Sequence, residues 1–199
     1  MTDPFSYLVT DALAALRGPA VSVARIDPDQ SNNPGLYAVF GSASTWRELR
    51  LGDPPDDRPL YVGKAENTLA ARDLQGHFGA RRRGVQSPTG NSTLRRSLAA
   101  LLAATRGYEG MPRNPNNPGY FSNYGLSFAH DDDLSTWMAQ RLQLVLWPHT
   151  VDDLGAIETA VLVELAPPLN IEKVETPWRR QVKAARQTLA QEARAWRPQ

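Results

Sequence analysis

The chain contains GLYAVF at residues 35–40 and PLYVGK at residues 59–64, two short apolar stretches that decide the fold. Glycine or proline bounds each stretch, and aromatic and β-branched residues fill it, which is typical of β-strands. We therefore predict that the two stretches form paired strands. A glycine lies two positions before Tyr37 and another lies two positions after Tyr61, where it would let backbone or ligand approach closely.

The same signals predict the elements on either side of these strands. Further strands are expected at 21–24, 123–128 and 142–147, all bounded by turn or charged residues. Asp3 followed by proline predicts a helix at 4–17, and Thr176 followed by proline predicts another at 177–196. The expected fold class is α/β in the broad sense (α+β): a small central mixed or antiparallel sheet flanked by helices, with extra N- and C-terminal helices.

The size and composition limit the number of domains and the class of protein. With 199 residues and 41% hydrophobic residues, the chain is expected to form one domain over 1–199, with a core at about 34–172. Because the chain has no cysteine, a disulfide scaffold, a cysteine-ligated zinc and a cysteine nucleophile are excluded. No apolar stretch is long enough to span a membrane, and no secretory signal is evident, so a cytoplasmic location is expected.

The positive charge is clustered, although the net charge is only +1. Arginine far outnumbers lysine, and its planar guanidinium suits two-pronged contact with phosphate. These clusters could hold a DNA backbone, or they could form an ordinary solvated face. The candidate phosphate contacts are Lys64, Arg81, Arg82, Arg83, Arg95 and Arg96.

Glu158 is a candidate metal ligand because its neighbours in a predicted helix are apolar. Asp152 or Asp153 would cap this helix, and the helix is followed by Pro167-Pro168-Leu169-Asn170. A carboxylate among apolar residues needs a cation or hydrogen bonds. A single carboxylate with water suits Mg²⁺ or Mn²⁺. The other acidic cluster, at residues 131–133, is interpreted as the acidic start of a helix.

Taken in order, these segments resemble the GIY-YIG nuclease family. Gly35-Leu36-Tyr37 and Tyr61-Val62-Gly63 are similar to the two tripeptides that name the family, and the Glu158 helix resembles its metal-binding helix. The match in order is more specific than either tripeptide alone. The gap between the tripeptides is longer than is usual in the family, so residues 41–58 are interpreted as an insertion.

The resemblance implies a set of site residues. An arginine on the helix after the second strand would stabilise the phosphate, one glutamate would hold a single divalent ion, and Tyr37 or His77 would be the general base. Gly35, Gly63 and Asn170 would have structural roles near the site. The implied catalytic residues are Tyr37, Tyr61, Arg72, His77 and Glu158, with Glu158 as the metal ligand.

The function implied is a metal-dependent endonuclease that hydrolyses DNA phosphodiester bonds, of a restriction, repair or defence type. One Mg²⁺ or Mn²⁺ ion and the DNA phosphate backbone are the expected cofactor and partner, with no membrane involved. The alternative is a GIY-YIG-like module that binds nucleic acid without cutting it, or that cuts only with a protein partner or a second copy of the chain. The near-neutral charge favours the partner-dependent version.

Overall fold

The elements of the fold alternate between short strands and helices of one to five turns. The computed structural model describes residues 3–22, 25–26, 32–69, 86–114 and 123–197. The strands are β1 (Val21–Ser22), β2 (Gly35–Gly41), β3 (Tyr61–Ala65) and β4 (Leu142–Pro148). The helices are α1 (Pro4–Leu16), α2 (Ala43–Glu48), α3 (Pro88–Asn91), α4 (Thr93–Arg106), α5 (Phe128–Arg141), α6 (Leu154–Leu165) and α7 (Arg179–Ala195).

The four strands form one sheet in the order β1-β4-β2-β3, and every neighbouring pair is antiparallel. The two tyrosine-bearing stretches are adjacent, as predicted, and β4 pairs with the other side of β2. The expected α+β class with helices around a central sheet is therefore confirmed, and the sheet is antiparallel.

Strand β2 is buried on both of its faces. Tyr37 and Val39 point into one hydrophobic cluster, whereas Leu36 and Ala38 point into another. Successive side chains of a strand point to opposite faces, so a continuous apolar run fits a strand that is covered on both sides.

Helices cover both faces of the sheet and produce three layers. On the Tyr37 face, α4, α5 and α7 supply the apolar residues Leu94, Leu98, Trp137, Val182 and Leu189. On the opposite face, α1 and α6 supply Ala12, Leu16, Ile157 and Val161. The two terminal helices thus pack on opposite sides of the sheet.

The outer edge of β3 is covered by the segment that follows α6. The backbone N–H of Leu169 donates to the carbonyl of Leu60 at 3.0 Å. The side chain of Asn170 accepts from the Val62 N–H at 2.9 Å and donates to the Val62 carbonyl at 2.7 Å. An amide side chain thereby replaces a neighbouring strand, which satisfies the backbone at an otherwise open sheet edge.

The predicted strand at 123–128 is wrong. In this region Gly125 makes only an isolated bridge to Met111, and α5 already begins at Phe128. The hydroxyl of Ser127 caps the helix by accepting a hydrogen bond from the His130 N–H at 3.2 Å. A serine cap ends the extended segment, which a pattern of apolar residues alone does not reveal.

The helices are short relative to a lipid bilayer. The longest in the described part of the chain, α7, has 17 residues and a strongly charged sequence. None of the described helices combines the length and the apolar composition that crossing a membrane requires.

Replacing Asn170 by alanine is expected to destabilise the fold. Because the buried Val62 N–H and carbonyl would lose their partners, the free energy of unfolding should fall by about 2–3 kcal/mol in urea denaturation. The matched control is Asn91→Ala, at an exposed asparagine, which should change it by less than about 0.5 kcal/mol. Equal effects in both variants would contradict this role of Asn170.

Candidate active site

Tyr37 and Gly63 lie directly opposite each other on β2 and β3. The Tyr37 ring is fully buried, with 0% of the residue exposed, and it lies over the position where Gly63 has no side chain. A Cβ on Gly63 would collide with the Tyr37 hydroxyl and ring. The glycine of the second tripeptide is thus required by the tyrosine of the first.

Gly35, at the start of β2, is required for a different reason. Its φ of +156° lies in the region that side chains rarely adopt, and a Cβ there would overlap the carbonyl oxygen of Trp147 on β4. The glycine therefore allows β2 and β4 to approach closely at the end of the sheet next to Tyr37.

Tyr61 packs beside Tyr37 on the same face of the sheet. The ring centroids are 6.1 Å apart and the rings are tilted by 41°, within the range of favourable aromatic pairs. Tyr61 differs from Tyr37 in that it borders a cavity at the β3 edge. Of the two phenols, Tyr61 is therefore the one placed to meet a molecule entering that cavity.

This cavity, which we call the β3 cavity, has a volume of about 510 Å³ and a mostly polar lining. It lies where the end of β3, the helix α6 and the segment after α6 meet. Its lining residues are Tyr61, Lys64, Ala65, Glu66, Asn67, Thr68, Glu158 and Lys173.

Glu158 is held in the cavity wall by α6. Asp153 caps this helix by accepting from the Ala156 N–H at 2.9 Å, and Ile157 and Val161 anchor it in the core. These contacts leave Glu158 only 7% exposed. A buried carboxylate requires compensation by charge or hydrogen bonds.

Lys173 supplies that compensation and is the site residue that sequence reasoning missed. Its Nζ donates to Glu158 Oε2 at 2.6 Å, while its side chain remains 44% exposed. The sequence contains only three lysines, and two of them, Lys64 and Lys173, line this cavity. The rarity of lysine was the feature of the sequence that could have drawn attention to Lys173. Because Lys173 lies fifteen residues after Glu158, no local pattern indicates that the two side chains meet.

Lys64 enters the cavity from β3 and is also paired. Its Nζ donates to Glu66 Oε1 at 2.5 Å, and this hydrogen bond raises the pKa of Lys64 above its usual value. The nearby carboxylates of Glu158 and Asp153 act in the same direction. Lys64 is therefore a permanent positive charge in the cavity.

Arg95 requires a correction, because it is not on a surface that could contact DNA. The residue is 0% exposed, and its guanidinium pairs with Asp131 at 3.4 Å. The same Nη2 donates to the Asp131 carbonyl and to Ser135 Oγ, both at 3.0 Å. Arg95 points inward from α4 and joins it to α5, so its charge is used within the core.

Asp131 lies in the first turn of α5, as expected for an acidic helix start, and it is also the buried partner of Arg95. The hydroxyls of Ser87 and Thr89 each donate to its carboxylate at 2.6 Å. These contacts connect the segment before α4 with α5. Good geometry and complete hydrogen bonding are what a buried ion pair needs to be tolerated.

Arg96 is likewise not the open backbone contact that was expected. It is 8% exposed, and its Nη1 donates to the Gly90 carbonyl at 2.9 Å. Burial lowers the pKa of Arg96 to about 10, and the positive charges of Arg186 and Arg113 add to this effect. The Arg96 charge thus lies beneath the surface, in a region of positive potential.

Five of the expected site residues lie outside the described residues. They are Arg72, His77, Arg81, Arg82 and Arg83. Their roles stay predictions. The described chain brings Tyr61, Lys64 and Glu158 together around the β3 cavity, with Tyr37 packed beside Tyr61 in the core.

The donor chemistry of the β3 cavity fits one hard divalent cation. Glu158 offers a carboxylate in a polar cavity large enough for water, which is the kind of site that Mg²⁺ favours. Among the residues that the structure describes, no group of three or more histidine, cysteine, aspartate or glutamate side chains is assembled. The carboxylates that line the β3 cavity in the described part of the chain are Glu66, which pairs with Lys64, and Glu158.

A family profile described as the GIY-YIG catalytic domain matches residues 50–191. The match includes β3, the Glu158 helix and most of α7, and it begins after the strand that carries Tyr37. Comparisons with curated proteins and with solved structures gave no significant match.

Gly63→Ala is expected to displace the Tyr37 ring. Overpacking at this buried contact should lower the free energy of unfolding by about 1–3 kcal/mol, measured by urea denaturation. Gly155→Ala is the matched control, because a Cβ there would meet nothing closer than 3.5 Å near the start of α6. The control should be neutral or slightly stabilising. A neutral Gly63→Ala would refute the proposed close packing.

Asp131→Ala is expected to leave the Arg95 charge buried and unpaired. The free energy of unfolding should fall by about 3–5 kcal/mol in the same measurement. The neighbouring Asp132 is exposed on the same helix, so Asp132→Ala should change stability by less than about 0.5 kcal/mol. If the two variants were equally stable, Arg95 could not be a core residue.

Proposed function

Because the chain belongs to the GIY-YIG family, we propose that it is a metal-dependent endonuclease that hydrolyses DNA phosphodiester bonds. The observation that carries this proposal is the β3 cavity, where the buried carboxylate of Glu158 faces the same space as Tyr61 and Lys64. This places a candidate metal ligand, a phenol and a cation around one volume of molecular size.

The reaction requires two contributions that these residues can make. Water attacks phosphorus, the bond to the 3′ oxygen breaks, and the products are a 5′-phosphate and a 3′-hydroxyl. A base must accept the proton of the water, and positive charge must stabilise the phosphate as its negative charge increases. Each role depends on placement within hydrogen-bond reach of the reacting atoms.

We assign Tyr61 to contact the water or the attacked phosphate, since its ring borders the cavity. Tyr37 supports Tyr61 from the buried side and remains, with His77, a proposed general base. Lys64 supplies a fixed positive charge for phosphate. Arg72 is proposed as the main phosphate-stabilising residue.

Glu158 is the proposed ligand of a single Mg²⁺ or Mn²⁺ ion. Such an ion supplies Lewis-acid stabilisation of the phosphate and the leaving oxygen when it is bound. In the described structure Lys173 Nζ donates to Glu158 Oε2 at 2.6 Å, which holds the carboxylate in place. Since Lys173 is partly exposed, its side chain can move away without disturbing the core.

The proposed role is restriction, repair or defence against foreign DNA, and access to cellular DNA implies a cytoplasmic location. A second candidate function is a module that binds nucleic acid without cutting it, or that needs a protein partner. One observation favours it: both lysines of the cavity are engaged by carboxylates, and the net charge of the chain is only +1. A partner would then supply part of the DNA affinity.

Supercoiled plasmid incubated with the protein and Mg²⁺ or Mn²⁺ is expected to be nicked or linearised. Glu158→Gln should reduce the rate by about 100-fold or more, because the loss of a metal ligand removes several kcal/mol of transition-state stabilisation. EDTA should abolish cleavage by the unaltered protein. Gel electrophoresis of the plasmid measures all three outcomes.

Glu164→Gln is the matched control, because Glu164 is an exposed glutamate on the same helix and pairs with the exposed Arg17. It should cut at the unaltered rate. Cleavage that persists in Glu158→Gln would contradict the proposed site. An intact plasmid under all conditions would favour the non-cutting module, which a mobility-shift assay on the same DNA would then test.

A further inference from the structure

A second cavity, which we call the α7 groove, lies between the C-terminal helix and the segment after α6. Its volume is about 430 Å³. It is lined by Tyr124, Ile171, Glu172, Lys183, Arg186, Gln187, Ala190, Gln191 and Arg194. None of these residues belongs to the proposed catalytic set.

The charge of the α7 groove is predominantly positive. Lys183, Arg186 and Arg194 project from one face of α7, and Glu172 is the acidic residue in the lining. Lys183 and Arg194 are exposed, whereas Arg186 is partly buried. A helical stripe of cations on a wall of this kind is the electrostatic footprint of a polyanion-binding surface.

Two guanidinium nitrogens beneath the α7 groove lack a hydrogen-bond partner within the described part of the chain. Arg186 Nη1 and Arg96 Nε are both buried there without a hydrogen-bond partner. The Arg186 charge lowers the pKa of Arg96, so the two guanidinium groups repel each other. Tyr124 lines the groove, and its hydroxyl donates a hydrogen bond to the backbone carbonyl of Arg96 at 2.5 Å. Such an arrangement costs stability unless an anion binds nearby.

The segment after α6 contributes lining residues to both the α7 groove and the β3 cavity. Glu172 lines the groove and the adjacent Lys173 lines the β3 cavity, so the two spaces lie on either side of one short segment. On its other side, the groove shares Lys183 and Gln187 with a depression that also contains Arg179 and Arg180. Basic residues therefore continue along α7 to its N-terminal end, where Glu175 pairs with Arg179.

We propose that the α7 groove binds backbone phosphates of the DNA that flanks the bond to be cut. This inference rests on the proposed function for the identity of the substrate. Lys183 and Arg194 are eleven residues apart, about 16 Å along a helix, which equals the rise of about five base pairs. α7 is therefore long enough to meet several phosphates of one duplex. The contacts are made by charged side chains, so they position the duplex without reading its sequence.

The test compares two variants with the same loss of charge, both in a Glu158→Gln background that prevents cutting. One carries Lys183→Gln, Arg186→Gln and Arg194→Gln. The control carries Arg17→Gln, Arg47→Gln and Arg141→Gln, three exposed arginines near carboxylates elsewhere on the surface. Binding of a fluorescent duplex DNA of about 30 base pairs is measured by anisotropy over a range of NaCl concentrations.

The α7 variant is expected to flatten the slope of log K against log salt by about 2–3, since each lost phosphate contact contributes about 0.9. The control should change the slope by less than about 1. Arg186 is partly buried, so its replacement could disturb the fold of the triple variant. A double variant with only Lys183→Gln and Arg194→Gln leaves Arg186 in place, and it should flatten the slope by about 2. Circular dichroism verifies the fold of each variant.

Equal slopes in the α7 variant and the control would overturn the inference. The inference would also be overturned if the protein did not bind duplex DNA. The same holds if it bound only single-stranded RNA, with the salt dependence expected for the duplex. Plasmid cleavage by the unaltered chain is measured separately. If cleavage occurs but the slopes are equal, the α7 groove is refuted while the proposed nuclease function stands.

Discussion

The close contact between Tyr37 and the bare backbone of Gly63 sets the register on which the site depends. It aligns β2 with β3 so that the two tyrosine rings share one face of the sheet. A slip of one residue between β2 and β3 would put the two rings on opposite faces of the sheet, with one of them turned toward the cluster built by α1 and α6. Asn170 then completes the open edge of β3 and brings the segment that carries Lys173 against the cavity. One steric requirement thereby places a phenol, a carboxylate and two lysines around the same space.

A second constraint acts behind the sheet, where Arg95 and Asp131 are buried as a pair. Their hydrogen bonds join the segment before α4 to α4 and α5, which cover the Tyr37 face. Replacing such a pair by apolar residues is often tolerated, but removing one partner is costly. Two neighbouring arginines thus have different surroundings: Arg95 has a carboxylate, and Arg96 has other arginines close by. That difference is the physical basis for treating Arg95 as part of the core and for relating Arg96 to an anion-binding surface.

The electrostatics of the β3 cavity are balanced by pairs. Lys173 neutralises Glu158, and Lys64 is held by Glu66. These pairs compensate the partly buried charges, so that the fold tolerates them. The surplus positive charge lies instead along α7, next to the cavity. This distribution of charge is consistent with the proposed bond cleavage in the β3 cavity and with the proposed DNA binding along α7.

The sequence by itself determined the strands around Tyr37 and Tyr61, the buried strand before the Glu158 helix, the start of that helix at Asp152 or Asp153, and the family. These are local or periodic properties, since glycine and proline boundaries, capping residues and apolar runs act over a few positions. Only the tertiary structure decided which charges face water. Arg95 and Arg96 have the same side chain and adjacent positions, yet one pairs with a residue thirty-six positions away and the other does not. Lys173 meets Glu158 through a turn of the chain that no local pattern encodes. The energy of a charge depends on its partners and on burial, and both are set by contacts between segments distant in sequence.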